Sequence, residues 1–162
     1  MKRIGLISDT HGYLDDRIFK YFDECDEIWH AGDIGSIEIA DKLSNFKVFR
    51  AVHGNIDDYI IRKTYPEVLY FNCEDIKVLI KHIGGYPGKY DKSIINIIRH
   101  KVPDLLIVGH SHLLKIQYDN KYNFLYINPG AAGNYGMQAV KTIVRFSIVN
   151  KEYKDLEVIE LN

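Results

Sequence analysis

Seven side chains able to ligate a divalent cation fall in five short clusters, each following directly on an apolar run. Asp9-Thr10-His11-Gly12 closes the first run, Gly32-Asp33 the second and Gly54-Asn55 the third. Residues 76–81 lead into His82, with Gly84 and Gly85 just beyond, and residues 104–109 lead into Gly109-His110-Ser111-His112. The donors are four imidazoles, two carboxylates and one amide, with no thiolate among them. That set speaks against an iron–sulfur cluster or a structural thiolate zinc site and suits manganese, iron, nickel or zinc. Seven ligands exceed what one tetrahedral ion needs, and they suffice for two ions about 3.5–4 Å apart sharing one carboxylate. Two carboxylates and a bridging hydroxide against two divalent ions leave a charge of about +1, which attracts an anionic phosphate. A single Asp-x-His or Gly-Asp pair is common by chance, so the information lies in the joint placement of all five clusters.

The elements that must position these groups are readable from periodicity. Residues 3–8, 27–31, 46–52 and 104–109 read as buried strands, and 68–73 and 76–81 as two strands around Cys73-Glu74-Asp75. Leu14, Ile18 and Phe22 recur every four residues as one helix face, and helices are expected over about 36–44 and 91–101, the latter stopped by Pro103. In the last third, Leu114, Ile116 and Tyr118 alternate with polar residues. Tyr122, Phe124 and Tyr126 follow a turn, Val140 to Ile148 alternate again, and 153–161 is a final strand. Period-two alternation marks strands with one wet face. The chain thus begins as α/β and ends as antiparallel β, and a core of two sheets with helices outside satisfies both halves. In α/β folds ligands bind beyond the carboxyl ends of strands, so neighbouring strands would bring the five clusters to one edge, with glycine permitting tight turns there.

Composition narrows the function classes. The 162 residues fit a single domain, 1–162. Twenty-one basic and 22 acidic side chains leave a net charge of -1, against a basic nucleic-acid module and therefore against a long nucleic acid as partner. Cys25 and Cys73 make no disulfide framework and read as reduced, packed thiols. No apolar run approaches the ~20 residues of a membrane span, and the first run stops at Ser8-Asp9, too soon for a signal peptide. The expectation is a cytoplasmic protein without membrane contact. Twelve tyrosines and seven phenylalanines are many for this length, and Tyr118, Tyr122 and Tyr126 on late strands lead to the expectation of a homo-oligomer, a dimer.

Taken together, Asp9-x-His11, Gly32-Asp33, Gly54-Asn55-x-Asp57, His82 and Gly109-His110-Ser111-His112 resemble the calcineurin-like metallophosphoesterases. Length and the Gly-Asn-x-Asp form are most similar to the small single-domain phosphodiesterases of the YfcE type, which also carry Asn128-Pro129-Gly130 in a loop. The resemblance runs from residue 3 to about 149. It implies a four-layer αββα sandwich of two mixed β-sheets flanked by helices. It also implies a dinuclear centre, with manganese the leading metal and nickel, zinc or iron as alternatives. Asp9, His11 and His112 would hold one ion, Asn55, His82 and His110 the other, and Asp33 would bridge them. A bridging hydroxide would attack the phosphorus of a small phosphoester, and Asn55 would also hydrogen-bond the phosphate.

Two departures from the family pattern stand out. Many members have His after Gly-Asn to protonate the leaving oxygen, whereas here that position is Ile56, with His53 and Asp57 the nearest substitutes. After His82 comes an extended Gly/Pro-rich stretch, Ile83 to Tyr90, in which Lys89 or Tyr90 could reach the phosphate. Of the other histidines, His30 could orient a ligand, His53 could line the pocket, and His100 reads as a solvated helix end. The expected function is phosphodiester hydrolysis. The alternatives are a phosphomonoesterase or dinucleotide polyphosphate hydrolase using the same site, and a non-catalytic scaffold such as the retromer subunit of this fold, where ligand positions are altered. Here every ligand position is filled.

Overall fold

The computed structural model describes residues Met1–Asn162. In chain order the elements are β1 (Lys2–Ile7), α1 (Arg17–Tyr21), β2 (Glu27–His30), α2 (Ile37–Phe46), β3 (Val48–Ala51), α3 (Tyr59–Thr64), β4 (Val68–Cys73) and β5 (Ile76–Lys81). There follow β6 (Gly85–Tyr86), β7 (Lys89–Tyr90), α4 (Lys92–Lys101), β8 (Leu105–Ile107), β9 (Lys115–Asp119), β10 (Phe124–Asn128), β11 (Thr142–Val149) and β12 (Glu152–Glu160). One sheet has the order β12-β11-β1-β2-β3 and the other β4-β5-β8-β10-β9. β1, β2 and β3 are parallel, as are β5, β8 and β10, while β12, β11, β4 and β9 introduce antiparallel pairs. Both sheets are therefore mixed, as expected from a chain whose patterning changes along its length.

Each strand sorts its side chains by parity, and this builds the layers. Ile4 and Leu6 of β1, Trp29 of β2, Val78 and Ile80 of β5, Leu105 and Ile107 of β8, and Val144 and Phe146 of β11 meet between the sheets. Ile7 and Ile28, on the other face, pack against Ile18 and Phe22 near α1 and against Ile39, Ala40 and Leu43 of α2. Leu79 and Leu106 pack with Phe124 and Tyr126 of β10 against Ile94 and Ile98 of α4. The result is helix, sheet, sheet, helix. Cys25 and Cys73 are free and buried, and burial pushes both thiols up to about 11. No helix is long and apolar enough to cross a membrane.

Local chemistry explains most boundaries. Asp58 caps α3 by accepting the Ile61 N–H, and Asp91 caps α4 by accepting the Ser93 N–H. α4 ends on Val102 in the left-handed region (φ 46°), directly before Pro103. Cys73 pairs with Ile76, so the β4–β5 turn is Glu74-Asp75 alone, with both residues at positive φ as a two-residue hairpin requires. α2 runs on to Phe46, which belongs to the helix rather than the next strand because its ring packs on Phe19. α3 has one buried residue, Ile61, so it left no readable apolar period.

Two expectations from the aromatic residues change. Tyr126 is buried within the subunit, its hydroxyl donating to the Gly85 carbonyl, and cannot face a partner. Tyr122 packs at the margin of the same core, so only Tyr118, on edge strand β9, is exposed. Trp29 is fully buried between the sheets, edge-on to Phe71 and Phe146 at 5.1 and 6.0 Å. Trp29→Ala is expected to lower unfolding stability by about 3–5 kcal/mol, read from denaturant unfolding of the purified variant.

Candidate metal centre

Parallel strands put their carboxyl ends on one edge, and the five clusters meet there. Asp9 and His11 follow β1, Asp33 follows β2, Asn55 follows β3, His82 follows β5, and His110 and His112 follow β8. The connecting loops are strapped to one another through the backbone. Asp9 and His11 donate their N–H groups to Gly32 and Asp33, and Gly109 donates to His82. Asp9, His11, Asp33, His110 and His112 all lie at positive φ, between 46° and 70°. Each such non-glycine residue costs roughly 1–3 kcal/mol, and such strain clusters at functional sites. Glycine serves close approach here. A Cβ on Gly54 would fall 2.0 Å from Asp33 Oδ1, and one on Gly109 would fall 2.3 Å from Ser8 Oγ and 2.7 Å from Asp9 Oδ2.

The donor atoms form two groups, Asp9, His11 and His112, and Asp33, His82 and His110, each with its atoms within 4.8 Å of one another. Asn55 joins the second through its Oδ1, 3.0 Å from His110 Nδ1. Both carboxylates divide their oxygens between fold and site. Asp9 Oδ2 accepts the Ser8 hydroxyl and the His110 N–H, and Asp33 Oδ1 accepts the Ile56 N–H. The remaining oxygens turn inward. Asp33 Oδ2 is 3.1 Å from His82 Nε2 and 3.3 Å from His11 Nε2, while Asp9 Oδ1 is 3.2 Å from His112 Nε2. Yet Asp9 Oδ1, His11 Nε2 and His82 Nε2 are buried with no aligned hydrogen-bond partner. Buried polar atoms are nearly always satisfied, so these orphans, with Asp9 Oδ1 3.7 Å from His11 Nε2 and 3.9 Å from His82 Nε2, fit a site that holds cations. The imidazole and carboxylate donors suit divalent ones.

The calcineurin-like phosphoesterase superfamily domain matches residues 1–151. The chain belongs to that superfamily. It is 32% identical over 154 residues to a probable metallophosphoesterase of Methanocaldococcus jannaschii, covering 91% of this chain and 77% of that protein. A solved archaeal phosphodiesterase is 25% identical with a TM-score of 0.74, covering 98% of this chain and 99% of that one. Vps29 of Entamoeba histolytica, solved in complex with zinc, shares the fold at 19% identity and a TM-score of 0.70, over 99% of each chain. This phosphoesterase is thus of a metal-dependent, phosphoester-hydrolysing family, and the αββα layering is the family's own.

Around the donors lies a second set of residues. His82 Nδ1 donates to the Ala31 carbonyl and His112 Nδ1 to Gln138 Oε1, which leaves each Nε2 for the site. Gln138 is fixed in turn by donating to the Gly133 and Tyr135 carbonyls, and the Tyr135 ring stacks on His11 at 4.8 Å. No sequence signal marked Gln138 or Tyr135, which lie beyond Asn128-Pro129-Gly130 in a loop without periodicity. His30 is buried, accepts the Gly32 N–H and meets the Thr10 hydroxyl at 3.0 Å, so it holds the two loops in register rather than touching the donors. Burial pushes its pKa down to about 4, keeping it neutral.

Other expectations are redirected. Asp57 accepts the N–H groups of Ile34, Gly35 and Gly54, so it ties two ligand loops together and is no proton donor. The Ile56 side chain is exposed at the rim and its N–H is spent on Asp33. Lys89 and Tyr90 lie on the β6–β7 hairpin beside residues 117–122, with the Tyr90 hydroxyl donating to Asp119, and line a different cleft. His53 does line a cleft at the centre, together with Asn55 and His82. His100 is exposed on α4.

The site's charges set its pH behaviour. Burial opposes ionisation of Asp9, but contacts from His11 and His112 outweigh it and hold the carboxyl below its usual range. Burial likewise opposes ionisation of Asp33, and the neighbouring His82 outweighs it. Burial disfavours a charged His82, but the Asp33 carboxylate wins and raises its pKa, while Asp9 raises that of His112. A raised imidazole pKa stabilises the metal-free fold below the unfolded value of about 6.5, and that contribution is lost as pH rises through the folded value. Cation binding runs the other way, since it needs both imidazoles neutral. The gain in Tm on adding a divalent cation is therefore expected to grow steadily from pH 6 to pH 8, measured by calorimetry with and without chelator. A gain independent of pH would contradict this assignment.

Proposed function

We propose that the chain is a metal-dependent phosphodiesterase whose strand-end residues hold two divalent cations. Asp9, His11 and His112 serve one, Asn55, His82 and His110 the other, and Asp33 is shared. The observation that carries the reading is the trio of buried donor atoms without hydrogen-bond partners. Asp33 Oδ2 approaches one imidazole of each group, within 3.3 Å of His11 and 3.1 Å of His82, which suits a shared ligand. When bound, such a pair supplies Lewis acidity toward the phosphoryl oxygens and makes water nucleophilic at neutral pH. Manganese is the first metal to test, ahead of nickel, zinc and iron.

The chain's own groups orient the ester. Asn55 Oδ1 faces His110, which leaves its amide N–H groups to donate to a phosphate oxygen. No acidic side chain stands at position 56, and Asp57 is occupied by backbone donors. His53 lines the neighbouring cleft with its Nδ1 donating to the Tyr65 carbonyl, so the loop offers the leaving oxygen no acid at the positions beside Asn55. Diesters with stabilised leaving groups suit such a site, and the similarity to an archaeal phosphodiesterase supports a diester. Metal binding alone does not separate an enzyme from a non-catalytic scaffold of this fold. Turnover does.

Asp33→Ala and His82→Ala are each expected to bring hydrolysis of an aryl phosphodiester to background while the far-UV circular dichroism stays that of the parent. Near-parental turnover in either variant would refute the ligand assignment. A general acid typically contributes ~10²–10⁴-fold. Across a series of diesters the rate is expected to fall by at least about 10²-fold from 4-nitrophenyl to alkyl leaving groups. A flat series would mean that a proton is supplied after all.

A further inference from the structure

We propose that the cleft beside Asn55 and His82 is a subsite for a second oxyanion of the substrate, carried on the ester beyond the phosphorus that is attacked. Lys81 is its principal anchor. The inference rests on reading the neighbouring centre as a phosphoesterase site.

The cleft has a volume of about 200 Å³, and His53, Asn55, Arg62, Glu67, Lys81 and His82 are among the residues that line it. Two of these are candidate ligands, so the cleft adjoins the centre. Only one of its eight lining residues is hydrophobic, which argues against an aromatic base or acyl chain as the occupant. Lys81 closes β5, and its side chain is only 6% exposed. Its ammonium donates to the Ile83 carbonyl at 2.9 Å, and its carboxylate neighbours are Glu67, 3.9 Å away on a largely exposed side chain, and Asp91, near enough to feel its charge but beyond ion-pair distance. An ammonium has three N–H donors, so one protein hydrogen bond leaves two at the wall of the cleft. A buried charge is costly unless paired, and a distant, solvated carboxylate does little for it.

Arg62 adds a second fixed charge. Its Nε donates to the Asp57 carbonyl at 2.6 Å and its Nη2 to the Asn55 carbonyl at 2.9 Å, while its Nη1 makes no hydrogen bond. All its acceptors are neutral carbonyls, so the guanidinium charge is positioned but not cancelled. Two cations against the single Glu67 leave the cleft positive, although the whole chain carries -1. The local excess lies one residue from His82 and in contact with the Asn55 loop, where the far end of a bound ester would fall. A phosphate or carboxylate there would meet the two free donors of Lys81 and the open nitrogen of Arg62. The substrate class is therefore a phosphoester bearing a further phosphate or carboxylate group.

Three 4-nitrophenyl diesters sharing one leaving group test this, with a tail ending in a hydroxyl, a carboxylate or a phosphate. In the parent, kcat/KM is expected to favour an anionic tail over the hydroxyl by about tenfold or more, the scale of a hydrogen bond to a charged group. The carboxylate and phosphate arms tell which oxyanion is preferred. Lys81→Met is expected to bring the ratio near one, and Lys81→Arg to restore most of it. No preference in the parent, or a preference kept in Lys81→Met, would overturn the subsite. Should Lys81→Met fail to fold, Lys81→Gln replaces it. If the parent hydrolyses none of the diesters, the phosphodiesterase reading fails, and calorimetry on metal-free protein still decides the subsite. Orthophosphate should then bind the parent about tenfold tighter than the Lys81 variant. Equal binding by the two, or none by the parent, would overturn it.

Discussion

Moving a carboxylate from water into a protein interior costs several kcal/mol even after relaxation, unless opposite charge comes to meet it. Asp9 and Asp33 are both buried, close enough that Asp9 opposes the ionisation of Asp33. The molecule meets that cost by giving each carboxylate two different duties. One oxygen is bonded to the fold, through Ser8 and His110 for Asp9 and through Ile56 for Asp33. The other is left facing imidazoles with which it makes no aligned hydrogen bond. The inner oxygens are thus aimed by the protein itself, and a cation completes a geometry that already exists.

That aim comes at the expense of backbone strain. Five of the seven candidate ligands sit in the left-handed region, at roughly 1–3 kcal/mol each. The sum is comparable with the whole net stability of a typical domain, about 5–15 kcal/mol. Only a well-packed frame can hold so many residues there. The frame consists of two sheets sharing a dry interface, loops strapped to each other by backbone hydrogen bonds, and the Asp57 carboxylate tying residues 34, 35 and 54 together. Gly54 and Gly109 let the loops approach more closely than a side chain would allow. Fold and centre are one construction, which is why the strand ends rather than the helices carry the chemistry.

Most of the fold was legible because its strands are short apolar runs or strict alternations, and a period of two leaves little choice of face. The β4–β5 hairpin and the start of α4 emerge within a residue of expectation, each marked by its turn or cap. α3 was not legible, since a single buried residue, Ile61, carries no period. Tyr126 misled because an alternating tyrosine reads equally as surface or core, and the packing of α4 put it inside. Asp57 misled for a similar reason. A carboxylate beside a ligand loop suggests acid–base chemistry, and only its three backbone donors show that it is a tie.

From the sequence alone followed the donor types, their order and their position at the ends of apolar runs. These suffice for the family and for a cation site, because donor chemistry belongs to residue type and strand ends to local pattern. Tertiary structure decided which donors pair across intervals of just over a hundred residues, as Asp9 and His112 do, which oxygen of each carboxylate turns inward, and that Gln138, Tyr135 and Lys81 stand beside the centre. Those are matters of distance and direction between segments remote in the chain, set by sheet register and layer packing, and no local pattern encodes them.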